Sequence, residues 1–429
     1  MNVVCVDIGS TYTKAALVDV GTGALVATAQ APTTADVVDG VLAATARFDG
    51  SVLACSSAGG GLRLAVVGYE ELISAEAGHR AALSAGARGV HVAAGRLDDD
   101  ALAVLRKIDP DVVLLVGGTD GGEASVLRHN AAALASMASL QGPGASVRGP
   151  GGSEVLPWSV PVVLAGNAAV RDEVTAVLRD GGLPVHPTDN VLPDIGRLAP
   201  EPARTAIREV FLEHVIGGER LSTDPRLRQW VRAVTPDAVL EGVSVLAGLR
   251  SSAEVPGVVV LDVGGATTDV YCVPDPDAEQ ATLGREAVGV PARRRTVEGD
   301  LGVVSSVDDL RAAALAEGLA PGDDPLSLGE AAATVALRRH LRAEAAYGPG
   351  GAGARGVGLV VLSGGVFRHA DPAAVDGVVA RLAADRGGAG SVLSGTPVVV
   401  DRRYVLAAAG LLSAEHPDAA AGLLRELAG

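Results

Sequence analysis

Residues 3–14 read VVCVDIGSTYTK, and residues 258–269 read VVVLDVGGATTD. Set one over the other, they align Asp7 with Asp262, Gly9 with Gly264, Thr13 with Thr268 and Lys14 with Asp269. Each stretch is an apolar run ending in Asp, then a Gly two residues later, then a short turn of small and hydroxyl-bearing residues. A second apolar run follows, AALVDV in one case and VYCV in the other. Short apolar runs bounded by turn residues predict buried strands, so each copy predicts a β-hairpin with a polar tip. Such a tip suits an oxyanion. Glycine lets backbone approach a phosphate closely, and successive N–H groups in a tight turn form an anion nest. Ser10, Thr11, Thr267 and Thr268 add hydroxyl donors, and Lys14 adds a point charge for the outer phosphates. An Asp at a strand end, Asp7 or Asp262, is placed to hold Mg²⁺ directly or through water. One such hairpin is a weak signal. Two copies, each after a buried strand, predict two related domains closing on a nucleotide.

Outward from the hairpins, further strand-like runs stand at 52–55, 88–93, 111–116, 160–165, 357–362 and 397–400. Alanine- and arginine-rich stretches of helical spacing lie between them, at 99–107, 168–180, 203–215, 328–346 and 373–386. Alternating strands and helices predict an α/β fold with largely parallel sheets. Residues 88–190 form a self-contained strand–helix series and are expected to be an inserted α/β unit. Residues 1–87 and 191–250 would then make the first domain and 251–403 the second. The C-terminal 404–429 is expected to be helical and to pack back toward the first domain. Its start, YVLAAAGLL (404–412), suits either close helix packing at a hinge or a generic alanine-rich helix. The Gly/Pro-rich 142–153 and 348–356 predict exposed loops.

A third element is VVLSGGVFR (360–368), a buried strand ending in Gly364-Gly365. Adjacent glycines let a flat adenine or ribose lie against backbone. Similar pairs occur at Gly117-Gly118 and Gly121-Gly122, so the pair alone does not single out an adenosine site.

Composition narrows the function. The chain has 429 residues, 48% hydrophobic, and a formal charge of −16. That excludes disorder for most of the chain and disfavours binding to a nucleic-acid backbone. Aromatics number ten (two Trp, five Tyr, three Phe), too few for base-stacking platforms. No apolar run is long enough for a membrane span, and the N-terminus lacks a secretory pattern. Three cysteines, Cys5, Cys55 and Cys272, make neither a disulfide framework nor a metal spacing. A reducing cytoplasm fits. Of 35 basic residues only Lys14 and Lys107 are lysine, and one of them sits in the repeated motif.

The order DIGSTYTK, DVGGATTD, LSGGVF and a small-residue C-terminal helix resembles the actin/Hsp70/sugar-kinase ATPase superfamily. Within it, LACSSAGGGLRLAVVGYEELISAEAGHRAALSAGARGV (53–90), LLVGGTDGG (114–122), LAGNAAV (164–170) and PTDNVLPDIGRL (187–198) resemble the glutamate mutase–associated MutL-type (GlmL) family. That family is distinct from mismatch-repair MutL. The resemblance implies two actin/Hsp70-like, ribonuclease-H-like ATPase domains around a nucleotide cleft, with ATP/ADP and Mg²⁺ as cofactors. It implies an accessory protein, a reactivating factor or chaperone, for an adenosylcobalamin-dependent glutamate (methylaspartate) mutase. Cobalamin would sit on the mutase. The first phosphate loop would be Asp7, Gly9, Ser10, Thr11, Thr13 and Lys14. The second would be Asp262, Gly264, Gly265, Thr267, Thr268 and Asp269. Gly364 and Gly365 would contact adenosine, Phe367 would line the base, and Asp7 and Asp262 would organise Mg²⁺.

The residue that positions an attacking water is left open among Asp269, Asp120, Glu76 and Glu241. Cys55-Ser56-Ser57 reads as a ligand-binding or hinge turn in preference to a nucleophile, since no His lies nearby in sequence. His79 reads as structural or exposed. The competing functions are a small-molecule kinase on the same scaffold and a nucleotide-binding assembly scaffold without turnover. An iron–sulfur activator is disfavoured, because two of the three cysteines lie inside buried strands.

Overall fold

The computed structural model describes residues 1–58, 62–69, 87–139, 158–195, 197, 199–213, 221–251, 253, 257–273, 293–345, 357–385 and 396–429. Glu76 and His79 lie outside the described residues, as do 142–153 and 348–356. Two compact units emerge: Met1–Ala58 with Leu221–Gly429, and Gly59–Arg220.

The chain begins with β1 (Asn2–Ile8), β2 (Tyr12–Asp19), β3 (Ala24–Pro32), α1 (Val37–Thr45) and β4 (Ser51–Ser56). The second unit supplies β5 (Leu62–Gly68), β6 (Ala87–Ala94), β7 (Val112–Leu115), β8 (Val162–Leu164) and β9 (Val185–Pro187). Back in the first unit come β10 (Val231–Val234), α2 (Thr235–Leu249), β11 (Gly257–Val263), β12 (Thr268–Val273) and β13 (Arg294–Glu298). Then follow α3 (Pro325–Ala345), β14 (Val357–Ser363), α4 (Gly365–Arg368), β15 (Val398–Val400), α5 (Leu406–Leu412) and α6 (Pro417–Ala428).

The duplication seen in the sequence is a duplication of sheets. Among the described residues, the first unit holds two five-stranded sheets, ordered β10-β4-β1-β2-β3 and β13-β12-β11-β14-β15. Counted from its own first strand, each reads 3-2-1-4-5, with strands 1, 2 and 3 antiparallel and 4 and 5 parallel to strand 1. The period-2 alternation of each strand splits its side chains between two cores. Val3, Cys5 and Val18 of the first sheet and Val258, Val260 and Tyr271 of the second share one core with α2, α5 and α6. The outer faces pack separately, Val4, Val6 and Ile8 with α1, Val259 and Leu261 with α3.

Two glycines set the spacing of the helices in that shared core. A Cβ on Gly410 would stand 1.7 Å from the Ala238 carbonyl oxygen, and one on Gly242 2.1 Å from that of Leu406. α2 and α5 therefore meet backbone to backbone, so close packing, not generic alanine content, accounts for 404–412. The C-terminal segment is two helices, and the first begins at Leu406, after Tyr404 in a left-handed turn (φ 55°).

His340 of α3 is buried beside β13, its Nδ1 2.9 Å from Thr296 Oγ1. Burial, with the Arg294 charge added, pulls its pKa down to about 4, against about 6.5 unfolded. Between those two values the unfolded chain binds a proton that the native one refuses. Stability is therefore full above about pH 6.5 and falls as the pH drops toward 4, by up to roughly 3 kcal/mol. His340→Asn is expected to flatten this part of a plot of urea midpoint against pH. An unaltered plot would refute the assignment.

The second unit is an all-parallel sheet ordered β6-β5-β7-β8-β9, or 2-1-3-4-5 in its own count, a doubly wound arrangement. It starts earlier than the 88–190 drawn from sequence, because β5 pairs with both β6 and β7, and its bounds run on to Arg220. Gly117-Gly118 serves this unit's own turn: both have positive φ, and a Cβ on Gly118 would meet the Glu123 carbonyl at 2.2 Å. The buried amides of Asn167 and Asn190 tie the same loop down through Gly121, Gly122, Gly118 and Asp120. Among the described residues, no helix is long and apolar enough to cross a membrane.

Candidate nucleotide site

The two hairpins fold alike, residue for residue. Asp7 faces Lys14 and Ile8 faces Thr13 across β1–β2, as Asp262 faces Asp269 and Val263 faces Thr268 across β11–β12. The first turn closes by Gly9 N–H to Tyr12 O (3.1 Å), the second by Gly264 N–H to Thr267 O (2.9 Å). Both turns exclude a side chain at the glycine, where a Cβ would come within 2.8 and 2.9 Å of those carbonyls. The tips face one another: Thr11 Oγ1 lies 3.8 Å from where a Cβ on Gly265 would stand. Ser10 and Thr11 are exposed, Gly264, Gly265 and Thr267 partly so.

Thr13 and Thr268 are corrected by the structure. Both are fully buried. The Thr13 hydroxyl is 3.1 Å from that of Thr33, which donates to Gly9 O, and Thr268 donates to Leu301 O at 2.7 Å. They hold the turns from behind and offer no hydroxyl to a ligand. Phe367 is corrected too. It is wholly buried in the outer core of the second sheet and lines nothing open. Gly364 keeps its importance for a backbone reason. Its φ is 117°, and a Cβ would collide with Val263 O at 2.2 Å, so β14 leaves the sheet hard against the end of β11. Gly365 is exposed at the start of α4.

The paired aspartates are not equivalent. Asp7 is buried and crowded by donors. Thr235 Oγ1 donates at 2.6 Å, Tyr404 OH at 3.1 Å and the Cys55 thiol at 3.7 Å, while Lys14 Nζ sits 3.5 Å away. Lys14 also lies over the Tyr404 ring, 3.7 Å from its centroid. Asp262 is half-buried and stands opposite Ser363 in the parallel register. Burial pushes its carboxyl up to about 6, Lys14 pulls it down, and the charges of Asp269 and Asp7 add to the rise. Asp262 thus has fewer donors around it than Asp7. Ser363 answers to Cys55 in the parallel register, Asp262 facing one and Asp7 the other.

Asp269 is committed elsewhere. Arg295 grips it through Nη2 at 2.7 Å and Nε at 2.9 Å, and Thr267 donates to its other oxygen. A carboxylate so paired is a poor base for an attacking water. Glu241 pairs with Arg293 at 2.6 Å, and Asp120 belongs to the second unit. Cys55 is wholly buried, and burial with the Asp7 charge pushes its thiol well up. It stays protonated and serves as a hydrogen-bond donor.

A small pocket opens beside this cluster between β1–β3 and α5, lined by Asp7, Lys14, Arg368, Arg403 and Tyr404 among others. Sequence reasoning missed Thr235, Tyr404 and Arg295. Each reaches the site only through the fold, and the one local signal was Asp401 three residues before Tyr404.

The family model for MutL protein matches residues 3–325 and 325–427. The chain belongs to the MutL protein family. This is the glutamate mutase–associated family, not the mismatch-repair protein of the same name. Protein MutL of Clostridium tetanomorphum is 33% identical over 348 residues, which covers 78% of this chain and 67% of that one. Solved structures align loosely. Gluconate kinase of Lactobacillus acidophilus covers 99% of this chain and 91% of its own at 11% identity and a TM-score of 0.36. A nucleotide-free acetone carboxylase aligns over 84% of this chain at 14% identity and a TM-score of 0.30, with 65% of its own length spanned. Alignments this loose bear on neither activity nor ligand, and the fold stands on its strand order.

Proposed function

We propose that this MutL-family chain binds Mg·ATP between the two hairpin tips and uses nucleotide-driven closure to service an adenosylcobalamin-dependent glutamate mutase. The observation that carries the nucleotide half is the duplicated, opposed pair of Asp-x-Gly turns with one lysine beside them. Backbone N–H groups of 10–11 and 265–266 cradle the phosphates, the Ser10 and Thr11 hydroxyls donate to them, and Lys14 neutralises their charge. Adenosine lies toward Gly364-Gly365. Asp262 and Ser363 are hard oxygen donors of the type Mg²⁺ takes, and a cation there would keep several waters and share phosphate oxygens. When bound, the cation would offset the phosphate charge. Asp7, already satisfied by four donors, positions Lys14. Hydrolysis of ATP to ADP and phosphate would release the closed state. With Asp269 and Glu241 both ion-paired, slow turnover is expected.

The mutase half rests on family membership. The test uses a glutamate-mutase-type enzyme inactivated as its hydroxocobalamin complex. This protein, Mg·ATP and free adenosylcobalamin are added, and activity is followed. Recovery that requires ATP is the expected result. Phosphorylation of a metabolite without recovery would replace this function with a kinase. Nucleotide binding with neither would leave an assembly scaffold.

A further inference from the structure

Tyr404 belongs to none of the phosphate motifs, yet it touches both charged members of the first one. Its ring carries Lys14 Nζ at 3.7 Å, and its hydroxyl donates to Asp7 Oδ2 at 3.1 Å. Its backbone is left-handed at φ 55°, rare for a residue with a Cβ. The turn is held by buried Asp401, whose carboxylate accepts from the amides of Val405 (2.9 Å) and Leu406 (3.4 Å). An uncommon conformation maintained by its surroundings at a charged cleft motivates a functional assignment.

We infer that Tyr404 is the positioning residue for Lys14. The ring fixes the ammonium group, the hydroxyl fixes the carboxylate beside it, and the partly exposed lysine is presented to the phosphates already ordered. A lysine left free in the cleft would lose its rotamer freedom on binding, and the ring removes that cost beforehand. Because Tyr404 leads directly into α5, the same contact ties the state of the lysine to the helix that crosses α2. The assignment rests on the nucleotide site proposed above.

The chain offers a clean readout, since Lys14 and Lys107 are its only lysines. Protein labelled at lysine Cε gives two ε-methylene signals, assigned with Lys107→Arg. The Lys14 signal is expected to be displaced by the aromatic ring current in the wild-type protein, which is a test without any variant at 404. Tyr404→Phe is expected to keep the displacement and near wild-type affinity for Mg·ATP. Tyr404→Leu is expected to lose the displacement, leave the Lys107 signal in place, and weaken Mg·ATP binding about fivefold to tenfold. An undisplaced Lys14 signal, or a Phe variant as impaired as the Leu variant, overturns the assignment. A Tyr404→Leu protein whose Lys14 signal still responds to Mg·ATP at wild-type affinity overturns it while the nucleotide site stands. A displaced Lys14 signal that ignores saturating Mg·ATP overturns the nucleotide site, and the positioning role with it.

Discussion

Lys14→Ala and Asp262→Ala are each expected to weaken Mg·ATP binding roughly 100-fold or more, measured by calorimetry, in proteins that remain folded. Charge-assisted hydrogen bonds contribute about 1.5–3 kcal/mol each, and a lysine facing a polyphosphate makes more than one, so a loss of about 3 kcal/mol or 100-fold follows. Neither change should unfold the chain. Asp7 keeps Thr235, Tyr404 and Cys55 as donors when Lys14 is gone. Removing the Asp262 carboxyl relieves a group whose charge is disfavoured by burial. The two variants should differ in one respect. With Mg²⁺ chelated, Asp262→Ala should bind ATP about as well as wild type, while Lys14→Ala should stay impaired. Normal Mg·ATP binding by both variants would mean the nucleotide lies elsewhere.

Gly410→Val is expected to be among the most damaging single changes in the first unit. At Gly410 even a methyl group would overlap the Ala238 carbonyl, at 1.7 Å, and the Gly242 amide nitrogen would lie 3.0 Å away. Relief requires α5 to withdraw from α2, and both helices carry the core shared by the two sheets. Overpacking typically costs 1–3 kcal/mol; backbone-on-backbone contact leaves nothing flexible to yield, so roughly 3 kcal/mol or more is expected in urea denaturation. Ala409→Gly next to it serves as a control, since it adds no volume and is expected to cost about 1 kcal/mol for a helical glycine. If Gly410→Val melts like wild type, the close crossing of α2 and α5 is wrong.

The strands at 2–7, 257–263 and 357–362 were legible because each is a continuous apolar run buried on both faces. β3 and β13 were not, for they carry polar residues on a partly exposed edge, where hydrophobic patterning is weak. β5 (LRLAVVG) was passed over beside a glycine-rich stretch, and with it the inserted unit was drawn too narrowly. Of the candidate site, the glycines and the charged pairs were readable from the repeat. The inward turn of Thr13 and Thr268 was not, because a hydroxyl in a polar turn looks the same in sequence whether it faces a ligand or its own backbone.

The repeat by itself determined that two like hairpins exist, because strand–Asp–x–Gly–turn is local chemistry: the glycine is forced by a carbonyl within 3 Å, and pairing across a four-residue turn follows from adjacency. It also determined which charges the hairpins bring, a lysine in one and an aspartate in the other. Only the tertiary structure decided what those charges face. Asp7 meets Thr235 and Tyr404, 228 and 397 residues away, whereas Asp262 is left with Ser363, and Asp269 is taken by Arg295 across β12–β13. Two like motifs thus become one carboxylate crowded by donors and one whose charge burial disfavours. The physical reason is that a charge's free energy is set by its neighbours and by its distance from water, and neither is local in the chain.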